Sequence, residues 1–147
     1  MPDAKIKALS QVPLFEGCSQ RELSFIASRT DEVPVGAGRV LTRQGRPGNS
    51  FYVILDGEAD VEIDGVKRGA LKKGDFFGEI SMLDRGMATA TVTTTKPSRL
   101  MVMSHSQFRD AVKASESILV KVLAVMGRRL RSDLEAVRES ETKKKKR

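Results

Sequence analysis

Hydrophobic and polar positions change rhythm twice along this chain, from helical spacing to short alternating runs and back to helical spacing. Ser19-Gln20-Arg21-Glu22 is a capping-box pattern, in which Ser19 accepts from the Glu22 amide while the Glu22 side chain reaches back. It predicts a short helix ending near Thr30, with Leu23, Ile26 and Ala27 as its apolar stripe and Pro13-Leu14-Phe15 upstream packing on the same core. From Glu32 to Met103 the texture is β-branched and apolar, punctuated by Gly36-Ala37-Gly38, Gly45-Arg46-Pro47-Gly48-Asn49, Asp64-Gly65, Lys73-Gly74-Asp75 and Lys96-Pro97. Such punctuation predicts a barrel or sandwich of short strands.

Within that region Ala59, Val61 and Ile63 alternate with Glu58, Asp60 and Glu62, which predicts a strand with one buried face, and Asp64-Gly65 supplies the positive φ angles of a tight hairpin. Phe51 to Leu55 is continuously apolar, as a strand near the centre of a sheet would be, while Ala90–Thr95 and Arg99–Met103 read as the last strand pair. After Met103 the spacing is helical again. Ser104 or Ser106 is the candidate cap, Phe108, Ala111 and Val112 share a face, and a break falls near Ser115. In the longer helix that follows, Leu119, Leu123, Met126, Leu130, Leu134 and Val137 recur at steps of three or four, with Arg128, Arg129, Arg131, Glu135 and Arg138 between them. That stripe suits either a helix folded onto the barrel or a dimer seam, and one helix can do both in succession.

Composition narrows the chemistry. At 147 residues the chain fits one domain, and 39% hydrophobic with 31% charged residues is the balance of a soluble protein. No apolar run approaches the roughly 20 residues that span a bilayer, and Met1–Ser10 lacks a signal-peptide apolar region, so a cytoplasmic location is expected. Cys18 is the single cysteine and His105 the single histidine, which argues against an internal disulfide, a metal site of the cupin kind and a histidine-based triad. No catalytic residues, metal ligands or cofactor are therefore assigned. Of the net charge of +7, five units come from Lys143, Lys144, Lys145, Lys146 and Arg147, leaving +2 for the rest (7 − 5). A terminal block of like charge is expected to be a solvated tail, with a nucleic-acid or anionic-membrane patch as the sharper alternative.

The most informative stretch is Gly74-Asp75-Phe76-Phe77-Gly78-Glu79-Ile80-Ser81-Met82-Leu83, continued by Asp84-Arg85-Gly86-Met87-Ala88-Thr89-Ala90-Thr91-Val92. It interrupts the β-rich region with a short helix-capable piece. Gly78 allows close backbone approach, the turn after it can point amides at an anion, and Glu79 is a carboxylate just inside that turn, an arrangement able to hold a sugar phosphate.

These residues resemble the phosphate-binding cassette of the cyclic-nucleotide-binding domains, which reads Phe-Gly-Glu-(Leu or Ile)-(Ala or Ser)-Leu-Leu, a short loop, then Pro-Arg-(Ala or Ser)-Ala-Thr-Val. Phe77 to Leu83 matches the first half without a gap, and Ala90-Thr91-Val92 matches the end with the loop length preserved. Pro13-Leu14-Phe15, Gly45 and Gly48, Phe51 to Gly57, and Gly74-Asp75 are further marks of the family. The resemblance implies a mainly β fold with flanking helices: an eight-stranded β-roll, or jelly-roll barrel, with an N-terminal helix and two C-terminal helices. It divides the chain into an N-terminal segment (1–12), the domain (13–138) and a basic tail (139–147).

Carried over by position, the resemblance implies that Gly78 and Glu79 serve the ribose, with Glu79 accepting from the 2′-hydroxyl, and that Phe77, Ile80, Ser81, Thr89 and Ala90 complete the ligand site. The family's proline and arginine fall on Met87 and Ala88, so the guanidinium that would clamp a cyclic phosphate is missing; Arg85, three residues earlier, is the one candidate to swing in. The implied function is a non-enzymatic sensor with cyclic AMP as default ligand and weakened affinity. The alternative is a fold kept as a ligand-independent scaffold. Only Glu139 to Arg147 remain beyond the long helix, so no DNA-binding domain is expected, and the output falls to a protein partner or to a homodimer through Leu119, Leu123, Met126 and Leu130.

Overall fold

The computed structural model describes residues 2–145. Helix α1 (Pro2–Ser10), a 3₁₀ turn (Pro13–Phe15) and α2 (Gln20–Ser28) precede eight strands: β1 (Asp31–Val35), β2 (Val40–Thr42), β3 (Phe51–Asp56), β4 (Glu58–Ile63), β5 (Val66–Lys72), β6 (Phe76–Phe77), β7 (Thr91–Thr94) and β8 (Ser98–Met103). Helix α3 (Glu79–Asp84) sits between β6 and β7, and α4 (His105–Ala114) and α5 (Glu116–Lys145) follow β8. Two four-stranded antiparallel sheets, ordered β1-β8-β3-β6 and β2-β7-β4-β5, form the roll.

The continuous apolar run of β3 is buried on both faces. Phe51, Val53 and Leu55 join the helices' cluster with Leu9, Phe15, Ile26, Phe108 and Ile118, whereas Ile54 faces the interior of the roll with Ala59, Val92 and Leu100. Strand β6 divides its two residues the same way: Phe76 packs toward the helices and Phe77 toward the interior. Phe51 sits 5.5 Å from Phe76 and 4.9 Å from Phe108, ring centre to ring centre, and Tyr52 stacks on Phe77 at 4.7 Å.

The predicted capping box forms, and a second one opens α4. Ser19 Oγ accepts from the Glu22 amide (3.1 Å) and the Ser19 amide donates to Glu22 Oε1 (2.8 Å); at the start of α4 the caps are Ser104, rather than Ser106, and Gln107. The Ser19 amide holds the Glu22 carboxyl below its usual value near 4.5, so this cap's contribution is present above that pH and is lost as pH falls through the depressed value. The β4–β5 hairpin turns through Asp64 (φ 54) and Gly65 (φ 78) as its sequence demands.

Four expectations are revised. Strands β7 and β8 do not pair with each other but lie in opposite sheets, because the three residues between them carry the chain across the roll. The N-terminal segment is helical, and Leu9, 1% exposed, anchors it; its short, cap-poor sequence gave no periodic signal. Residues 139–145, expected as a separate tail, continue α5, while Lys146 and Arg147 lie outside the described residues. Finally, the face of α5 that enters the core is Ile118, Val122 and Val125, with Met126 of the predicted stripe packed beside them, whereas Leu123, Leu130, Leu134 and Val137 of that stripe are exposed. Ile118→Ala is expected to cost about 2–5 kcal/mol in urea unfolding, while Val120→Ala, on the exposed side of the same turn, changes stability by less than about 0.5 kcal/mol.

Candidate functional site

The cassette begins where β6 ends. Gly78 sits at φ 89, and a Cβ placed on it would lie 2.5 Å from the Ser50 carbonyl, so only glycine fits this left-handed turn. The turn delivers Glu79 into the protein at 3% exposure, together with Ser81 (3%) and Met82 (8%), as α3 begins. The helix stops at Arg85, which takes a left-handed conformation (φ 59) and donates its amide to the Ser81 carbonyl. The chain then returns against the Gly45–Gly48 loop: the Gly45 amide donates to the Ala88 carbonyl (2.9 Å), the Ala88 amide to the Arg46 carbonyl (2.8 Å), and Met87 bridges to Pro47.

A cavity of about 330 Å³ opens between this segment, the β4–β5 hairpin and α5. Of the residues predicted for the site, Phe77, Gly78, Glu79, Ile80, Ser81, Ala88, Thr89 and Ala90 all line it. Arg85 does not; it is exposed at the C-terminal end of α3. Val61, Ile63 and Leu71 form an apolar wall, and they stay half-buried because they face the cavity rather than packed core. The charged lining residues are Glu79 and Asp133 against Arg68 and Arg129, so the formal charges sum to zero.

Arg129 is the side chain that sequence reasoning passed over. Its Nη1 donates to Glu79 Oε1 at 2.5 Å, its Nη2 donates to the Phe76 carbonyl at 2.7 Å, and its guanidinium lies 5.4 Å from the centre of the Phe76 ring. A buried carboxylate requires such a partner, and the charge-assisted pair fixes α5 against the cassette. A signal was present: Arg129 continues the line Ile118, Val122, Val125 at helical spacing, so a charge occupied a position that the pattern assigns to the core. Arg129 also lines a second depression, of about 380 Å³, between α5, the 3₁₀ turn and the Lys73–Asp75 turn. A second tie holds the cassette from α4, where His105 Nε2 lies 3.2 Å from the Ser81 carbonyl; the carbonyl can only accept, so this nitrogen carries the proton.

The arrangement is suited to binding rather than to bond-breaking. One buried carboxylate stands ready for hydroxyl donors, Thr42, Ser50, Ser81 and Thr89 line the walls, and Val61, Ile63 and Leu71 offer an apolar face. Among the described residues no group of His, Cys, Asp and Glu could hold a metal ion, and no helix is long and apolar enough to cross a membrane.

Comparison with known proteins agrees with this geometry. The profile of the family described as "Cyclic nucleotide-binding domain" matches residues 32–115. A cAMP-dependent protein kinase regulatory subunit from Schizosaccharomyces pombe is 34% identical over 105 residues, 68% of this chain and 24% of its own. The Thermus thermophilus catabolite activator protein superposes with a TM-score of 0.73 at 26% identity, covering 84% of this chain and 61% of that one. A variant regulatory subunit of a cAMP-independent protein kinase A from Trypanosoma brucei, bound to cAMP, superposes with a TM-score of 0.72 at 22% identity, covering 82% and 46%, and shares the fold. The chain spans roughly a quarter of the length of the curated relatives it matches.

Removing Arg129 tests the pair. Arg129→Ala is expected to cost about 1–3 kcal/mol in urea unfolding, less than the roughly 3–5 kcal/mol of a fully buried pair because the Arg129 side chain is 40% exposed. Glu79→Gln should recover part of that loss in the Arg129→Ala background; additive losses would mean that the pair contributes no coupling.

Proposed function

Because the chain belongs to the cyclic nucleotide-binding domain family, we propose that it is a non-enzymatic sensor whose cavity takes a cyclic purine nucleotide, with cyclic AMP as the reference ligand, and whose α5 carries the output. The observation that supports this reading most directly is the position of Glu79. Its carboxylate lines the cavity and is also the anchor of Arg129. A ribose hydroxyl donating to Glu79 therefore acts on the same group that holds α5.

The phosphate end is weak. Ala88 offers no charge where the family pattern places its arginine, Arg85 lies outside the cavity lining, and Arg129 is engaged by Glu79 and the Phe76 carbonyl. Loss of one partner from a buried charge-assisted pair costs about 2–5 kcal/mol, roughly 30-fold to several-thousand-fold in affinity. Calorimetric titration with cyclic AMP should accordingly show a tightening of at least about 30-fold in Ala88→Arg and no change in Arg85→Ala. If neither the parent protein nor Ala88→Arg binds at millimolar ligand, the sensor reading is lost.

A second reading, the ligand-independent scaffold, draws on the outer stripe of α5, where Leu123, Leu130, Leu134 and Val137 are each more than half exposed. An isolated helical extension showing such a stripe is marginal in water, and a second copy pairing through Leu119, Leu123, Met126 and Leu130 would cover it. The two readings are compatible when the dimer is the output of the sensor. Sedimentation at tens of micromolar should give a dimer for the parent chain and folded monomers for Leu123→Glu and Leu130→Glu; a monomeric parent removes the seam.

A further inference from the structure

Arg129 lines two hollows, and they differ in charge. The cassette cavity is balanced, whereas the depression of about 380 Å³ between α5, the 3₁₀ turn and the Lys73–Asp75 turn is lined by Lys73, Lys121, Arg128 and Arg129 against Glu16 and Asp75. Arg129 is already answered by Glu79, and the Asp75 carboxylate accepts from the Lys72 amide at 2.8 Å. Lys73, Lys121 and Arg128 remain, and among the described residues none of them belongs to an ion pair.

Contacts with the backbone fix where two of the cations sit. Lys121 Nζ donates to the Pro13 carbonyl at 2.8 Å, so its ammonium stands where α5 meets the 3₁₀ turn, and an ammonium has two further N–H donors to give. Arg129 Nη2 donates to the Phe76 carbonyl at 2.7 Å, on the strand side of the same depression. Arg128 lies about two helical turns beyond Lys121 and so leaves α5 on the same side. Between these charges the lining is apolar, with Pro13, Leu14, Ala124 and Val125.

We propose that this depression docks a short acidic segment of a partner protein, an apolar side chain flanked by carboxylates. The apolar lining takes the side chain, and the ammonium and guanidinium groups around it meet the carboxylates whose charge they complement. A nucleic-acid backbone fits less well, because its closely spaced phosphates would be brought against Glu16 and Asp75 and have no use for an apolar lining. The C-terminal end of α5 does not fit either, since Lys143, Lys144 and Lys145 carry the same sign as the cations of the depression. Docking here requires no nucleotide in the cassette cavity.

Fluorescence anisotropy on the full chain tests this with a labelled peptide, Glu-Asp-Leu-Phe-Glu-Asp, beside its Gln-Asn-Leu-Phe-Gln-Asn counterpart and a labelled oligothymidylate. The acidic peptide should bind and the neutral one should not. Lys73→Ala and Arg128→Ala should each weaken binding about two- to five-fold, the range of an exposed ion pair. Ala124→Glu, which sets a carboxylate in the depression, should abolish it, and Arg39→Ala, in the β1–β2 turn, should leave it unchanged. All four residues are exposed, so thermal unfolding of the variants should match the parent. Failure of the acidic peptide to bind at millimolar concentration overturns the proposal, as does binding that survives Arg128→Ala and Ala124→Glu or falls equally in Arg39→Ala. Tighter binding of the oligothymidylate through Lys73 and Arg128 overturns it in favour of a nucleic-acid face. Self-association of the parent chain that is lost in Ala124→Glu overturns it in favour of a second copy of this chain.

Discussion

A carboxylate taken out of water at Glu79 is the constraint to which the other parts of the site answer. Isolated, such a charge costs several kcal/mol, and it is tolerated here because Arg129 reaches it from α5, fifty residues further along the chain. Arg129 in turn is oriented by the Phe76 carbonyl and ring. Glu79 reaches the pair only because Gly78 turns left-handed under the Ser50 carbonyl, where any side chain would collide. A strand end, a glycine turn and a distant helix are thus held in place by one ion pair, with the His105 contact to Ser81 as a second tie from α4.

The two-residue strand β6 gives this constraint its reach. Phe76 and Phe77 are neighbours in sequence and point to opposite faces, Phe76 into the helices' core and Phe77 into the cavity. Arg129 rests over Phe76, Phe76 packs on Phe51, and Phe51 packs on Phe108 of α4. A ligand pressing on Phe77 and Glu79 therefore meets the same short strand and the same ion pair that seat both C-terminal helices. The packed interior offers few small adjustments between fixed arrangements, which is the condition under which a local contact moves a whole helix.

Much of this was legible in the sequence where a local rule operates. The Ser19–Glu22 capping box, the Asp64-Gly65 hairpin and the turn and short helix of Phe77 to Leu83 are each specified by residues within a few positions of one another, and each formed as read. What escaped depended on long-range partners. Strand β7 pairs with β2 and β4, and β8 with β1 and β3, partners distant in sequence that their own composition does not name. The inner face of α5 was misplaced because the helix carries two apolar stripes, and the longer of them, from Leu123 to Val137, is the exposed one. Arg129, read only as one of the charges between the stripe residues, acquires its role when the fold brings α5 to the cassette.

The charge balance of that cavity decides where binding energy can come from. With Glu79 neutralised by Arg129, and Arg68 offset by Asp133, the lining carries no net charge to draw an anion in. Arg129 is not free to meet an anion without releasing Glu79, because its two terminal nitrogens are already directed at the carboxylate and the Phe76 carbonyl. On the sensor reading proposed above, a nucleotide entering this site would gain little from its phosphate, and the sugar and the base would supply a larger share of the affinity than in a site with a phosphate clamp.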